Sequence, residues 1–154
     1  NMDGLITWGT TRDITVVGLG NSELDDYAIA AAEAQGRVVI PDAEPEKGFY
    51  YRSDHFEFAK QGVPALYTHT GIDMIDGGEE RGRAELDAWT TERYHQPSDE
   101  IDDTWDLGGA VQDLQLFFMV GWQLASGDHW PNWREGNEFR AARDAMMAAG
   151  EQTP

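Results

Sequence analysis

The stretch between Asp13 and Pro41 restricts the fold more than any other part of the chain. Asp13-Ile14-Thr15-Val16-Val17-Gly18-Leu19-Gly20 is a β-rich run that ends in glycine and reads as a strand. Asn21 or Ser22 can cap the next element. Glu23, Asp25 and Asp26 fall in its first turn, where the helix dipole favours acidic groups. An alanine-rich helix is expected over residues 24–35, stopped by Gly36. Arg37-Val38-Val39-Ile40 then reads as the following strand, closed by Pro41. Strand, helix and strand in that order specify an α/β sheet.

The remaining segments add elements around that unit. Residues 41–51 hold two prolines and several charges and read as a loop. Asp54 with Glu57 three residues later fits a capping box, and Gly62 is a natural stop, so a short helix is expected between them. Residues 65–70 read as a further strand. Residues 71–88 carry four glycines and many charges without a sustained period, so they are expected to be a surface excursion that borders a site. Residues 89–106 read as a polar loop, with five acidic residues from Asp99 to Asp106. Asp106 is expected to cap the longest helix, whose apolar face would be Leu107, Ala110, Val111, Leu114, Phe117, Phe118 and Gly121, with Ser126-Gly127 as its end. A last helix is expected from Asn137 through Phe139, Ala142 and Met146, and residues 150–154 are expected to fray. No repeat or linker divides the chain, so residues 1–154 read as a single domain.

Composition narrows the function. A hydrophobic content of 40% in 154 residues, with six tryptophans, argues for a packed core. A formal charge of −18 repels nucleic acid and anionic membrane and attracts cations. Solubility is the first reading of such a charge, ahead of a specific acidic binding face. The absence of cysteine excludes disulfides, thiolate zinc sites and cysteine catalysis. No apolar run approaches the ~20 residues of a membrane span, and no signal peptide is read. Asn1-Met2-Asp3-Gly4-Leu5-Ile6 reads as the end of a strand entered partway, as in a trimmed chain or a proteolytic fragment.

The histidines are the first candidates for chemistry. His129 lies just past a helix end, where a surface or turn role suits it, and His69 lies on a strand, where a hydrogen-bonded structural role does. His55 sits beside a helix cap and can serve to orient that turn. His95 differs, standing in a non-periodic loop between Tyr94 and Pro97, where it reads either as a metal ligand or as a histidine that binds nothing. Asp3 reads either as a carboxylate partner for His95, assembled at a sheet edge, or as an ordinary solvated residue. There is no His-Glu-x-x-His helix and no calcium loop. There is also no Gly-x-Ser-x-Gly elbow, and the glycines at 18 and 20 do not complete a dinucleotide fingerprint.

Three motifs in order carry a resemblance: Asn1-Met2-Asp3; Ser53-Asp54-His55-Phe56-x-Phe58 with Gly62-Val63-Pro64-Ala65; and Tyr94-His95-x-Pro97-x-Asp99-Glu100. The chain resembles the C-terminal part of a zinc-dependent aminopeptidase of metallopeptidase family 28, from its first residues to the Phe139-Arg140-Ala141-Ala142-Arg143 stretch. That resemblance implies a mixed β-sheet flanked by helices, with two zinc ions at its carboxyl edge and a peptide as substrate. In such enzymes a first histidine, a bridging aspartate, a glutamate, a later aspartate and a final histidine hold the metals, and a neighbouring glutamate is the general base. By motif, Asp3 corresponds to the later aspartate and His95 to the final histidine. Asp54 and His55 then support the site or the strand at Ala65, and Tyr94 positions substrate or packs beside the loop.

The departure from the pattern matters as much as the match. The other ligands and the general-base glutamate are expected upstream of Asn1. The isolated chain is therefore expected to bind zinc weakly and to be inactive, and to self-associate or pair with a complementing N-terminal part. Two other readings stay open. One is a non-catalytic acidic binding or stability module; the other is glutaminyl cyclisation or carboxypeptidase action on the same scaffold. Secretion or a periplasmic location is expected from the resemblance alone.

Overall fold

β1 (Asp13–Val17) is buried along its whole length, which is why its apolar residues run almost without interruption. In the computed structural model, which describes residues 1–2 and 4–150, β1 is the middle strand of three. β2 (Val38–Pro41) lies parallel to it, with Asp13 opposite Val38 and Ile14 opposite Val39. β3 (Tyr67–Thr70) lies antiparallel on the other side, with Ile14 opposite Thr70 and Val17 opposite Tyr67. The sheet is mixed, as the resemblance implied. Beyond β3, Met2 pairs in parallel with Thr68, and Thr68 donates its N–H to the Asn1 carbonyl at 3.2 Å.

α1 (Leu24–Ala34) connects the parallel strands. Its alanines allow a close approach: Ala28, Ala31 and Ala32 are buried against Ile14, Val16, Leu66, Leu116 and Val120. The last two belong to α4 (Gly108–Ser126), which packs beside α1. At the start of α4, a side chain on Gly109 would collide with the Gly9 carbonyl and Ile6, so only glycine lets the helix seat there. A charged tie crosses the same layer. Arg37 and Asp113 meet at 2.8 Å with 1% and 6% of their side chains exposed. Arg37 also donates to Thr11 Oγ1 (2.9 Å) and to the Asp13 carbonyl (2.7 Å).

A second, aromatic cluster forms where α2 (His55–Ala59) meets α5 (Arg140–Gly150) and the segment before it. Trp133 is fully buried against Ala59 and Phe139, with Tyr50 and Phe56 around them, and its Nε1–H donates to the Gly62 carbonyl at 3.0 Å. Among the described residues no helix is long and apolar enough to cross a membrane.

Four expectations are corrected. β1 ends at Val17 rather than at Gly20, because Gly18 and Gly20 take positive φ values that break the ladder. Asp54 makes no side-chain cap bond to α2, so the capping box is not formed. Residues 71–88 are not a surface excursion throughout: α3 (Gly78–Glu92) occupies most of the stretch and runs on into the polar loop. It shows no apolar period because Gly82 alone is buried in it, and its support comes from ion pairs such as Arg81–Glu85 and Arg83–Glu79. Finally, α4 buries Gly109, Ala110, Asp113, Leu116 and Val120, whereas Leu107, Val111, Leu114 and Phe118 are exposed. α4 is apolar on both sides, so helical spacing does not separate the buried face from the outward one, and of the expected face only Ala110 is buried and Phe117 packs partly against the core.

Candidate functional site

The polar loop begins at Arg93, where α3 stops, and its backbone turns on itself at once. Arg93 and Tyr94 both donate their N–H to the Trp89 carbonyl at 2.9 Å, and Gln96 donates back to the Arg93 carbonyl at 2.8 Å. His95 between them has φ 57°. It is the sole non-glycine among the described residues with a positive φ, a conformation that histidine tolerates better than most side chains do. Its ring stacks on Tyr94 with centroids 3.9 Å apart, and Tyr94 in turn rests on Trp89 at 5.0 Å. The imidazole is exposed, and no described residue hydrogen-bonds to either ring nitrogen.

Arg93 latches the loop from inside. Its guanidinium donates to the Glu100 carbonyl at 3.2 Å and to Asp102 Oδ2 at 2.6 Å. Asp102 also accepts from the Thr104 N–H (2.8 Å) and hydroxyl. These Thr104 bonds first, and then Arg93, hold the Asp102 carboxyl below its ordinary range. At the far end, Asp106 donates its N–H to the Thr7 carbonyl (2.8 Å), and Gly9 donates to Asp106 (3.1 Å), which fastens the loop to the segment leading into β1. Arg93 was not foreseen as a site residue. The signal was available, since it is the one cation in an acidic run and directly precedes the Tyr-His pair.

The other sequence candidates sit apart from this loop. No hydrogen bond, ion pair or ring contact among the described residues joins His95 to Asp54 or His55. Asp54 is exposed. His55 is buried, with ring centroids 4.9 Å from Tyr50 and 4.7 Å from Tyr67, and neither of its ring nitrogens has a hydrogen-bond partner. Burial, chiefly, pushes its pKa down to about 4, so the ring is neutral. The same burial pushes the Tyr50 hydroxyl up to about 12. His55 therefore packs α2 against Tyr67 of β3. His69 is hydrogen-bonded as expected, its Nε2 lying 2.6 Å from the Tyr67 hydroxyl. His129 is exposed and pairs with Glu23 at 2.9 Å, also as expected.

Asp3 lies outside the described residues. His95 suits one zinc donor, since its imidazole is exposed with both nitrogens free and its loop is held by its own bonds. The described residues nonetheless group no three histidine, aspartate or glutamate side chains that could hold a metal ion. The described residues do not by themselves make a metal centre.

Comparison with known proteins adds one finding. No curated protein and no solved structure matches the chain. A family model does match, described as Peptidase family M28, over residues 1–119. The match ends inside α4, short of the Arg140–Arg143 stretch to which the motif resemblance extended. It spans the Asn1-Met2-Asp3, Ser53-Asp54-His55 and Tyr94-His95 motifs together with all three strands, and on that ground the chain belongs to peptidase family M28.

Proposed function

We propose that this peptidase chain is part of a two-zinc aminopeptidase, with Asp3 and His95 as ligands to different ions and with Tyr94 orienting the His95 ring. The observation that carries the reading is the backbone of His95. A non-glycine residue held at φ 57° by its loop, with its imidazole free, is a conformation that proteins keep mostly where a side chain must be aimed. When bound, such a metal pair supplies an activated water for attack on a peptide carbonyl. The chain's own residues contribute one imidazole, one carboxylate and the ring that steadies the imidazole. No residue of 1–154 is assigned as the general base. With donors for at most one point of attachment to each ion, the 154-residue chain alone binds zinc weakly and does not turn over peptides.

Calorimetric titration with zinc tests this on the purified chain, with calcium as a control for the general pull of a −18 chain on cations. The expected result is weak binding, about micromolar or poorer, that His95→Ala and Asp3→Asn each reduce at least about tenfold, set against the ~10–16 kcal/mol of a complete structural zinc site. Zinc binding unchanged by His95→Ala would overturn the assignment. Aminoacyl-nitroanilide hydrolysis by the isolated chain in the presence of zinc would overturn the inactivity.

A further inference from the structure

Arg143 of α5 is a buried cation without an anion. Only 7% of it is exposed. Its Nη2 donates to the Pro131 carbonyl at 3.1 Å, and its Nε is buried with no acceptor. Among the described residues every other lysine and arginine meets a carboxylate at 3.7 Å or less, apart from Arg52, which is exposed. A chain of charge −18 has carboxylates in excess, yet those nearby in the chain and the fold are turned to other partners. Asp144 takes the Asn132 amide at 2.8 Å and Arg140 at 3.7 Å, and Glu23 takes the His129 ring and the Asn132 N–H, both at 2.9 Å. A charge withdrawn from water and left unpaired is costly, so a guanidinium in this state calls for an anion.

Arg143 lines a cavity of about 370 Å³, with Leu24, Val63 and Pro64 along one wall and Leu124, Trp130 and Pro131 along the other. We propose that this cavity binds a small apolar monocarboxylate, whose carboxylate pairs with Arg143 and whose hydrocarbon body fills the space between the walls. The volume falls within the range of small-molecule pockets, and an apolar lining with one polar anchor is their usual make-up. A single guanidinium asks for a single negative charge, which its fork geometry matches in a carboxylate. Position favours a free ligand over the rest of the peptidase domain. The family match ends at residue 119, whereas Arg143, Leu124, Trp130 and Pro131 all come after it, so the cavity is built largely by a segment outside the matched part. Asn1 and Met2, beside which the sheet would be extended, contribute nothing to its walls. The cavity is also remote from the His95 loop. That loop is fastened at Gly9, on which Gly109 packs, and from Gly109 to Leu124 the helix rises about 22 Å. The inference does not depend on the aminopeptidase reading.

Calorimetric titration of the 154-residue chain with octanoate, octylamine and acetate tests it. Octanoate is expected to bind with a Kd of about 0.1 mM. Octylamine has the wrong charge and acetate lacks the apolar body, so each should bind at least about tenfold more weakly. The Nε–H resonance of Arg143 should move with octanoate and stay in place with octylamine. Arg143→Met keeps the aliphatic bulk and should weaken octanoate binding at least about 30-fold. Ala125→Trp leaves Arg143 in place but narrows the cavity from the α4 side. It should weaken octanoate binding at least about tenfold with the thermal melt still cooperative, which carries the test even if Arg143→Met does not fold. The proposal is overturned by octylamine or acetate binding as tightly as octanoate, by octanoate affinity unchanged in either variant, or by no octanoate binding up to about 5 mM. It is also overturned if octanoate binds this chain but not a peptidase carrying the upstream zinc ligands, which would assign Arg143 to a carboxylate of that upstream part.

Discussion

Replacing Arg37 by methionine removes the cation from the most buried ion pair among the described residues. The methionine fills the aliphatic part of the space, so the loss is mainly of charge and hydrogen bonds. Asp113 is left 6% exposed with its guanidinium partner gone, while Thr11 and the Asp13 carbonyl each lose a donor. Breaking one side of a buried pair costs about 3–5 kcal/mol, because the remaining charge is stranded. The pH dependence identifies the cause. Burial already raises the Asp113 pKa against the pull of Arg37, so its folded pKa lies above its unfolded one. A carboxyl shifted that way favours the folded state at low pH, and that contribution is lost as pH rises through the folded pKa. Arg37→Met raises the folded pKa further. The deficit relative to wild type should therefore be larger at pH 7.5 than at pH 4.5, read as the midpoint of urea unfolding at each pH. The double variant Arg37→Met/Asp113→Leu should recover most of the loss, since hydrophobic replacement of a buried pair is often neutral. A single-variant deficit under about 1 kcal/mol at pH 7.5, or one equal at both pH values, would refute the reasoning.

Three further outcomes are expected. Burial holds the His55 pKa at about 4, so the folded state takes up fewer protons than the unfolded chain as pH falls from 6.5. Stability from this residue is complete above pH 6.5 and lost on the way down to about 4; His55→Phe should flatten that window in acid-unfolding curves, removing on the order of 3 kcal/mol of pH dependence. His95→Gly should stabilise the chain by about 0.5–1 kcal/mol in denaturant titrations by relieving the positive φ, while reducing zinc uptake as His95→Ala does. Arg93→Gln should change global stability by under about 1 kcal/mol, since its partners are partly exposed, yet amide exchange at Gln96, Asp99 and Glu100 should accelerate; unchanged exchange would mean that the loop is held elsewhere.

Legibility in the sequence followed the depth of burial and the reach of the contacts. The strand, helix and strand between Asp13 and Pro41 were readable because β1 and α1 face one core, with Val39 of β2 partly buried beside it, and because glycine and proline punctuate them. α3 was not, since a helix supported by exposed ion pairs leaves no apolar stripe to detect. The two faces of α4 are not separable by pattern, because hydrophobic periodicity reports apolarity and not which side meets the sheet. Asp113, the polar residue on the inner face, was the available clue, but its meaning needed Arg37, 76 positions away. At the loop, His95 stood out from its neighbours by type, whereas its left-handed backbone and the Arg93 latch depend on carbonyls that no pattern of side chains announces.

The lone buried glycine of α3 has a thermal consequence. Gly82 lies directly over the Ile72 carbonyl, so close that any side chain would collide with it, and the rest of the helix is exposed apart from the half-buried Gly78, Arg81, Glu85 and Trp89. A fifteen-residue helix with one buried residue, tied to the body beside it by the Arg81 bond to the Trp8 carbonyl at 3.3 Å, is expected to detach at a lower cost than melting the sheet. Its last turn carries Trp89, on which Tyr94 and then His95 are stacked. On warming, the aim of the imidazole is then lost as a sub-global event, ahead of the main transition. Protease nicking between Asp76 and Arg93 would reveal that event while β1 and its neighbours remain intact.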